Sequence, residues 1–328
     1  MRRWVLRILA FVGLTYSAYA AEPVRLIFDT DMGNDIDDAI ALALIHSLEN
    51  RGEVRLLAVT ITKDNRWAAP FVDLVNTFYG RGSIPIGIVH GGKTPEDSAY
   101  IRVPSQRRDK EGRYIYPHGL EDGTQAQDSV ALLRKTLDQQ PDHSVTIAQV
   151  GFSTNLTNLL KSDEGRELVA RKVKLLSLMA GNFEKPEPEY NVYTDPQAAQ
   201  YLFSHWPTPM VFSGFEIGLR VMFSHESIVR DFAYTSSHPI AEAYNIYLPK
   251  GEDRPSWDPT AVLYAIRPDR GYFKLSEPGH VSIGEKSVTT FTPDPKGNCR
   301  FLTMSPDSAC RVKALLEALA SEPPKTAK

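Results

Sequence analysis

The chain lacks the features that mark several large classes of protein. Only two cysteines, Cys299 and Cys310, occur in 328 residues, too few for a disulfide framework. Either they pair with each other or both are free thiols, and neither has the His-containing context of a catalytic cysteine. After residue 20 no apolar run approaches the ~20 residues a helix needs to cross a bilayer. No block of Lys and Arg forms a phosphate-binding stripe, and the formal net charge is −3, which argues against nucleic acid as a partner. No internal repeat or linker interrupts the chain before residue 321. What remains is 42% apolar and 23% charged, enough to build one large α/β domain or two small ones.

The first twenty residues read as an address. Arg2, Arg3 and Arg7 give a basic start, an apolar run follows from Trp4 to Tyr16, and Ala18-Tyr19-Ala20 supplies small residues for signal peptidase. The run is shorter than a membrane span. The expectation is a signal peptide over residues 1–20 and an exported protein, periplasmic or extracellular, with no membrane attachment after cleavage.

Apolar runs alternate with helical stretches through the mature chain. Strands are expected at Val24–Phe28, Val54–Ile61, Ile84–Val89, Val145–Val150, Lys174–Met179 and Met210–Ser213, with helices at Ile36–Leu48, Trp67–Tyr79 and Thr260–Ile266. This alternation predicts an α/β fold with a doubly wound, mostly parallel sheet buried on both faces. Ligands of such sheets sit at the carboxyl ends of the strands. Residues 92–123 carry no period and read as one long functional loop. From Gly271 to Met304 alternating strands and turns predict a small antiparallel C-terminal appendage. The domain is expected over residues 21–320, with a frayed tail at 321–328.

The densest chemistry lies between Asp29 and Asp38, where Asp-Thr-Asp-Met-Gly-Asn-Asp-Ile-Asp-Asp places five carboxylates in ten residues. One Asp can cap a helix, but five cannot. Five anions at one spot repel unless a cation sits among them, and hard oxygen donors without His or Cys favour Ca²⁺ or Mg²⁺. Haloacid-dehalogenase-type phosphatases also end their first strand in Asp-x-Asp. They want Thr or Val two residues after the second Asp, however, where this chain has Gly33, and they place further acidic ligands late in the chain.

Several motifs, in order, make residues 24 to about 270 resemble the inosine–uridine-preferring nucleoside hydrolases. Asp29, Asp31, Asp37 and Asp38 match that family's Asp-x-Asp-x-x-x-Asp-Asp, with two extra residues that add Asp35. Gly151-Phe152-Ser153-Thr154-Asn155 resembles its Gly-x-x-Thr-Asn turn. Glu189-Tyr190-Asn191 with Asp195-Pro196, Trp257-Asp258-Pro259, Asn65, Met179 and His118-Gly119 complete the resemblance.

The resemblance implies hydrolysis of the N-glycosidic bond of a ribonucleoside through an oxocarbenium-like sugar. It implies Asp31 as the base that takes a proton from the attacking water, and Ca²⁺ held by Asp31, Asp38, Asp258 and the Thr154 carbonyl. Asp37, Asn65, Met179, Glu189 and Asn191 would surround the sugar, and His118 would lie in the active-site loop. Asp35 could replace Asp31 or Asp38. It further implies the family's nucleoside hydrolase-like fold, a small-molecule nucleoside as partner, and a homo-oligomer. Many members carry a His before the last Asp as general acid; here Trp257 stands there, as in a purine-preferring branch that stacks the base. Trp67, Tyr100, Tyr114 or Tyr116 are candidates for the opposite side of the base, and His90 and His118 for an acid. Another glycoside or N-riboside as substrate, or a non-catalytic sugar-binding module, are the alternatives.

Overall fold

A computed structural model of the protein describes residues 22–325; the expected signal peptide at 1–20 lies outside them. Among the described residues thirteen strands form: β1 (Val24–Thr30), β2 (Val54–Lys63), β3 (Ile86–Lys93), β4 (Gln127–Asp128), β5 (Val145–Gln149), β6 (Val173–Met179), β7 (Met210–Ser213), β8 (Met222–Phe223), β9 (Arg254–Pro255), β10 (Lys274–Leu275), β11 (Gly279–Ile283), β12 (Thr289–Pro293) and β13 (Cys299–Thr303). The main sheet runs β12-β11-β13-β7-β6-β5-β1-β2-β3-β4, with β10 pairing β13. Every neighbour from β13 through β4 is parallel, and β10, β11 and β12 add the antiparallel part.

The central strands are near-continuous apolar runs, as a sheet covered by helices on both faces requires. Leu26, Ile27, Phe28, Val59, Ile61, Ile147 and Leu178 are all fully buried. Chain order leaves β1 in two directions, through β2, β3 and β4 on one side and β5, β6 and β7 on the other. The crevice beyond the carboxyl ends of β1 and β5 is therefore the switch point at which such sheets bind ligands.

The structure refines several local expectations. The 92–123 segment is not all loop: Ala99–Gln106 forms a helix that buries Tyr100, Ile101, Pro104 and Ser105, its period masked in the sequence by Pro104. The small antiparallel C-terminal part is present, and β13 joins it to the main sheet, antiparallel to β10 and β11 and parallel to β7. The tail is docked as far as Lys325: Glu322 pairs with Arg51 and Ser47, and the Lys325 ammonium donates to the Asn50 carbonyl. Cys299 is buried and Cys310 exposed, and both are free thiols. No helix among the described residues is long and apolar enough to cross a membrane.

Candidate active site

The carboxylates of the Asp29–Asp38 segment separate into distinct environments. Asp29, still inside β1, is fully buried one layer behind the crevice. Its Oδ1 accepts from the Thr60 hydroxyl at 2.6 Å and from Asn155 Nδ2 at 2.8 Å, which ties β1 to β2 and to the helix Thr154–Leu160. Burial pushes its carboxyl up to about 7. Asp31, just past the strand, lines the crevice, and Asn34 Nδ2 donates to its Oδ2 at 2.8 Å. Burial raises it to about 7 as well.

Asp37 and Asp38 open the helix Asp37–Asn50, whose positive end favours anions. Asp258 is the second residue of the helix Trp257–Ile266, and its backbone N–H donates to Asp37 Oδ2 at 3.0 Å. One carboxylate oxygen from each of Asp37, Asp38 and Asp258 lies within 4.8 Å of the others, all three buried. At an effective dielectric of ~20, each pair of anions ~4 Å apart costs about 4 kcal/mol. Burial first, then the neighbouring carboxylates, push all three well above the usual carboxylate range. Thr30 donates to Asp38 Oδ1, while the buried Oδ2 has no partner among the described residues. An orphaned oxygen in a dry triple-carboxylate cluster fits a hard cation.

Asp35 goes elsewhere. Arg254 donates to both of its oxygens in a half-buried ion pair, while the Asp35 charge also raises the neighbouring Asp37 carboxyl.

A cavity of about 270 Å³ opens over the cluster, lined by Asp31, Asn34, Asp35, Asp37, Asp38 and Asp258 on one side. Val150, Met179, Glu189 and Asn191 also line it, and Tyr190, Phe215, Tyr247 and Trp257 give it an aromatic wall, with Arg254 among them. Glu189 caps the short helix Tyr190–Thr194. Its carboxylate accepts from the backbone N–H groups of Asn191, Val192 and Gly181 at 2.8, 3.2 and 3.1 Å, and burial lifts it to about 7. Asn191 Nδ2 is held by the carbonyls of Val150 and Met179 at 2.7 and 3.1 Å, which leaves its Oδ1 to the cavity.

Three expected site residues do not reach this cavity. Thr154, expected through its carbonyl, is not among the lining residues and its hydroxyl donates to Asp195 at 2.6 Å, while Val150, just before the turn, lines the cavity. Asn65 donates to the Pro95 and Glu96 carbonyls and accepts from Trp67 N–H, so its amide is used up by the backbone. His118 leans on Tyr114 with Nδ1 against the Tyr116 carbonyl. No residue from 92–123 lines the cavity, so the long segment does not form the wall.

That wall is where sequence reasoning missed residues. None of Trp67, Tyr100, Tyr114 or Tyr116 lies opposite Trp257; Phe215 stacks on it at 5.4 Å, and Tyr247 and Tyr190 complete the surface. The Trp257 indole N–H donates to the Phe215 carbonyl at 2.9 Å, so the ring is fixed but offers no donor. Arg254 lies 5.1 Å from that ring. No spacing rule links these positions, which come from four separate segments.

A sequence model of the family described as inosine-uridine preferring nucleoside hydrolase matches residues 26–309. The chain is 27% identical over 262 residues to the pyrimidine-specific ribonucleoside hydrolase RihA of Citrobacter koseri, covering 74% of this chain and 80% of that one. It is 25% identical over 300 residues to the inosine-uridine preferring nucleoside hydrolase of Leishmania major, covering 85% and 91%. Among solved structures, the purine-preferring ribonucleoside hydrolase from Gardnerella vaginalis superposes with a TM-score of 0.69 at 17% identity, covering 90% of this chain and 99% of that one. At that identity the likeness speaks for the fold alone.

Proposed function

The chain belongs to the inosine-uridine preferring nucleoside hydrolase family, an N-glycosyl hydrolase, and from that premise we propose that it is a calcium-dependent, purine-preferring ribonucleoside hydrolase. One observation carries the reading: Asp31, the Asp37/Asp38/Asp258 cluster, Glu189, Asn191 and Trp257 line a single cavity of about 270 Å³, within reach of one nucleoside. Ca²⁺ would be held by Asp31, Asp38 and Asp258, with the Val150 carbonyl in the role expected of Thr154, and when bound it supplies a template for water and sugar hydroxyls and a more acidic water.

The chain's own residues do the rest. Asp31 takes a proton from the water that attacks C1′. The C1′–N bond breaks with its electron pair moving onto the base, and the base takes a proton from solvent. Asp37, Glu189 and Asn191 orient the ribose hydroxyls, and the thioether of Met179 lies under the sugar. Phe215, Tyr247 and Trp257 surround the base, and an aromatic wall favours the larger purine ring by stacking. In this reading the enzyme is exported and acts on nucleosides outside the cytoplasm as a homo-oligomer.

Ribose release from inosine, adenosine, guanosine, uridine and cytidine, with calcium and with EDTA, tests the proposal. Calcium-dependent release with purines fastest is expected. No release from any nucleoside, or equal release with EDTA, would sink it.

A further inference from the structure

We infer that Lys63 and Asn34 form a positioning relay that orients the Asp31 carboxylate for proton abstraction. Lys63 ends β2 and is a buried cation, 2% exposed, whose ammonium reaches neither Asp31 nor the Asp37/Asp38/Asp258 cluster directly. It donates instead to Asn34 Oδ1 at 2.9 Å and to the Thr94 carbonyl at 2.6 Å. Asn34 in turn donates through Nδ2 to Asp31 Oδ2 at 2.8 Å and to the Thr94 hydroxyl at 3.1 Å.

A neutral amide beside a carboxylate has two orientations, with N–H or C=O facing the anion, and one of them repels it. Lys63 decides between them. An ammonium has donors only, so the amide end it meets must be the oxygen, and the Nδ2 end is turned onto Asp31. Asp31 Oδ2 is thereby fixed, on a carboxylate that lines the cavity.

The surroundings are shaped for this relay. Gly33 sits at φ +118°, and a Cβ there would come within 2.7 Å of Ile101 Cδ1 and 2.8 Å of Lys63 Cδ, so glycine leaves room for the lysine stem. Thr94 adopts φ +51°, a conformation that costs a threonine about 1 kcal/mol or more, and it presents both carbonyl and hydroxyl to the relay.

The inference rests on Asp31 acting as the base in the function proposed above. Steady-state kinetics on inosine and on nitrophenyl riboside, with the calcium midpoint of thermal stabilisation, test it in Asn34→Leu, Lys63→Met and the double variant. The attacking water is common to both substrates. Each single variant should therefore lose kcat on both alike, on the order of tenfold to a hundredfold, part of the ~10²–10⁴ that a positioned base supplies. KM and the calcium midpoint should stay within about threefold, and the double variant should be no worse than the poorer single.

Retention of kcat within about twofold in Asn34→Leu overturns the relay. So does a parallel shift of KM and calcium midpoint, which would mark a role in folding the site. Should Lys63→Met fail to fold, the half-buried Asn34 decides alone. Wild-type protein and Asp31→Asn run alongside: no ribose from the wild type, or full turnover in Asp31→Asn, removes the underlying reading and the inference with it. Loss in Asp31→Asn without loss in Asn34→Leu removes only the inference.

Discussion

Arg254 and Asp35 lie 219 residues apart and form a two-pronged ion pair, with Arg254 Nε on Asp35 Oδ1 at 2.9 Å and a terminal nitrogen on Oδ2. The pair joins the loop that follows β1 to the aromatic wall of the cavity. It gives Asp35 a cation of its own, whereas no ion pair among the described residues involves Asp37, Asp38 or Asp258. Asp35→Asn should therefore leave calcium-dependent stabilisation nearly intact, with the midpoint within about threefold. Asp38→Asn, which removes half the charge-bearing acceptors of a carboxylate with an orphaned oxygen, should weaken it at least tenfold, about 1.4 kcal/mol. Calcium titration by thermal shift measures both, and equal losses in the two variants would return Asp35 to the ligand set.

In the proposed reaction Trp257 would support the leaving base with its ring face alone, because its N–H is spent on the Phe215 carbonyl. Stacking of a base on an aromatic side chain contributes ~1–3 kcal/mol, so Trp257→Ala should lower kcat/KM for purine nucleosides roughly ten- to a hundredfold. A nitrophenyl leaving group needs no such activation and should lose far less. Comparable losses on inosine and nitrophenyl riboside would show that Trp257 shapes the pocket without acting on the base.

The sequence is legible where one element holds the information. Met210–Ser213 is a strand with the bounds expected, and Val24–Phe28 and Val54–Ile61 fall short of β1 and β2 by only two residues, because a fully buried parallel strand is an unbroken apolar run. The Asp31–Asp38 carboxylates are adjacent in the chain, and so their convergence is visible before folding. Glu189, Asn191, Met179 and Asp258 could be seen through the family resemblance, and they do line the cavity. Lys63, Phe215, Tyr247 and Arg254 could not. Their roles arise from contacts across the sheet's carboxyl edge, which neither periodicity nor a local motif encodes. Thr154 shows the coarseness of such a motif: it names a segment, and the residue of that segment lining the cavity is Val150.

Gly151 follows Val150 where β5 passes closest to β1. A Cβ at this position would lie 2.5 Å from the Asp31 backbone nitrogen and 2.7 Å from the Thr30 carbonyl carbon, both rigid backbone. Gly151→Ala must therefore move the Asp31 loop or the turn, at a cost of ~1–3 kcal/mol for overpacking. Both a lower melting temperature and a kcat reduced with it are expected, measured by calorimetry and ribose release. A variant with wild-type stability and turnover would mean that the close approach of these two strands does not set the position of Asp31.

Two histidines far from the cavity set an acid limit on stability. His46 lies in the helix Asp37–Asn50, stacked 4.8 Å from Tyr79 with Nε2 against Asn76 Oδ1, and burial, reinforced by Arg81, pushes it down to about 3. His238 is likewise held at about 3 by burial. Its Nδ1 accepts from the N–H groups of Ile240 and Ala241 at 3.2 and 3.4 Å, which caps the helix that carries Tyr247, and its Nε2 meets the Tyr234 hydroxyl at 2.7 Å. Protonation would turn that Nδ1 acceptor into a donor. Both folded values lie below the ~6.5 of an unfolded histidine, so the unfolded chain binds more protons between ~3 and ~6.5. Their contribution is complete above ~6.5 and is lost as the pH falls, by roughly 1 kcal/mol per histidine between pH 6.5 and 5.5. Urea unfolding of the calcium-loaded protein at those two pH values should show the loss, and His46→Gln with His238→Gln should flatten it. An unchanged pH slope in the double variant would show that these two histidines do not carry the acid sensitivity.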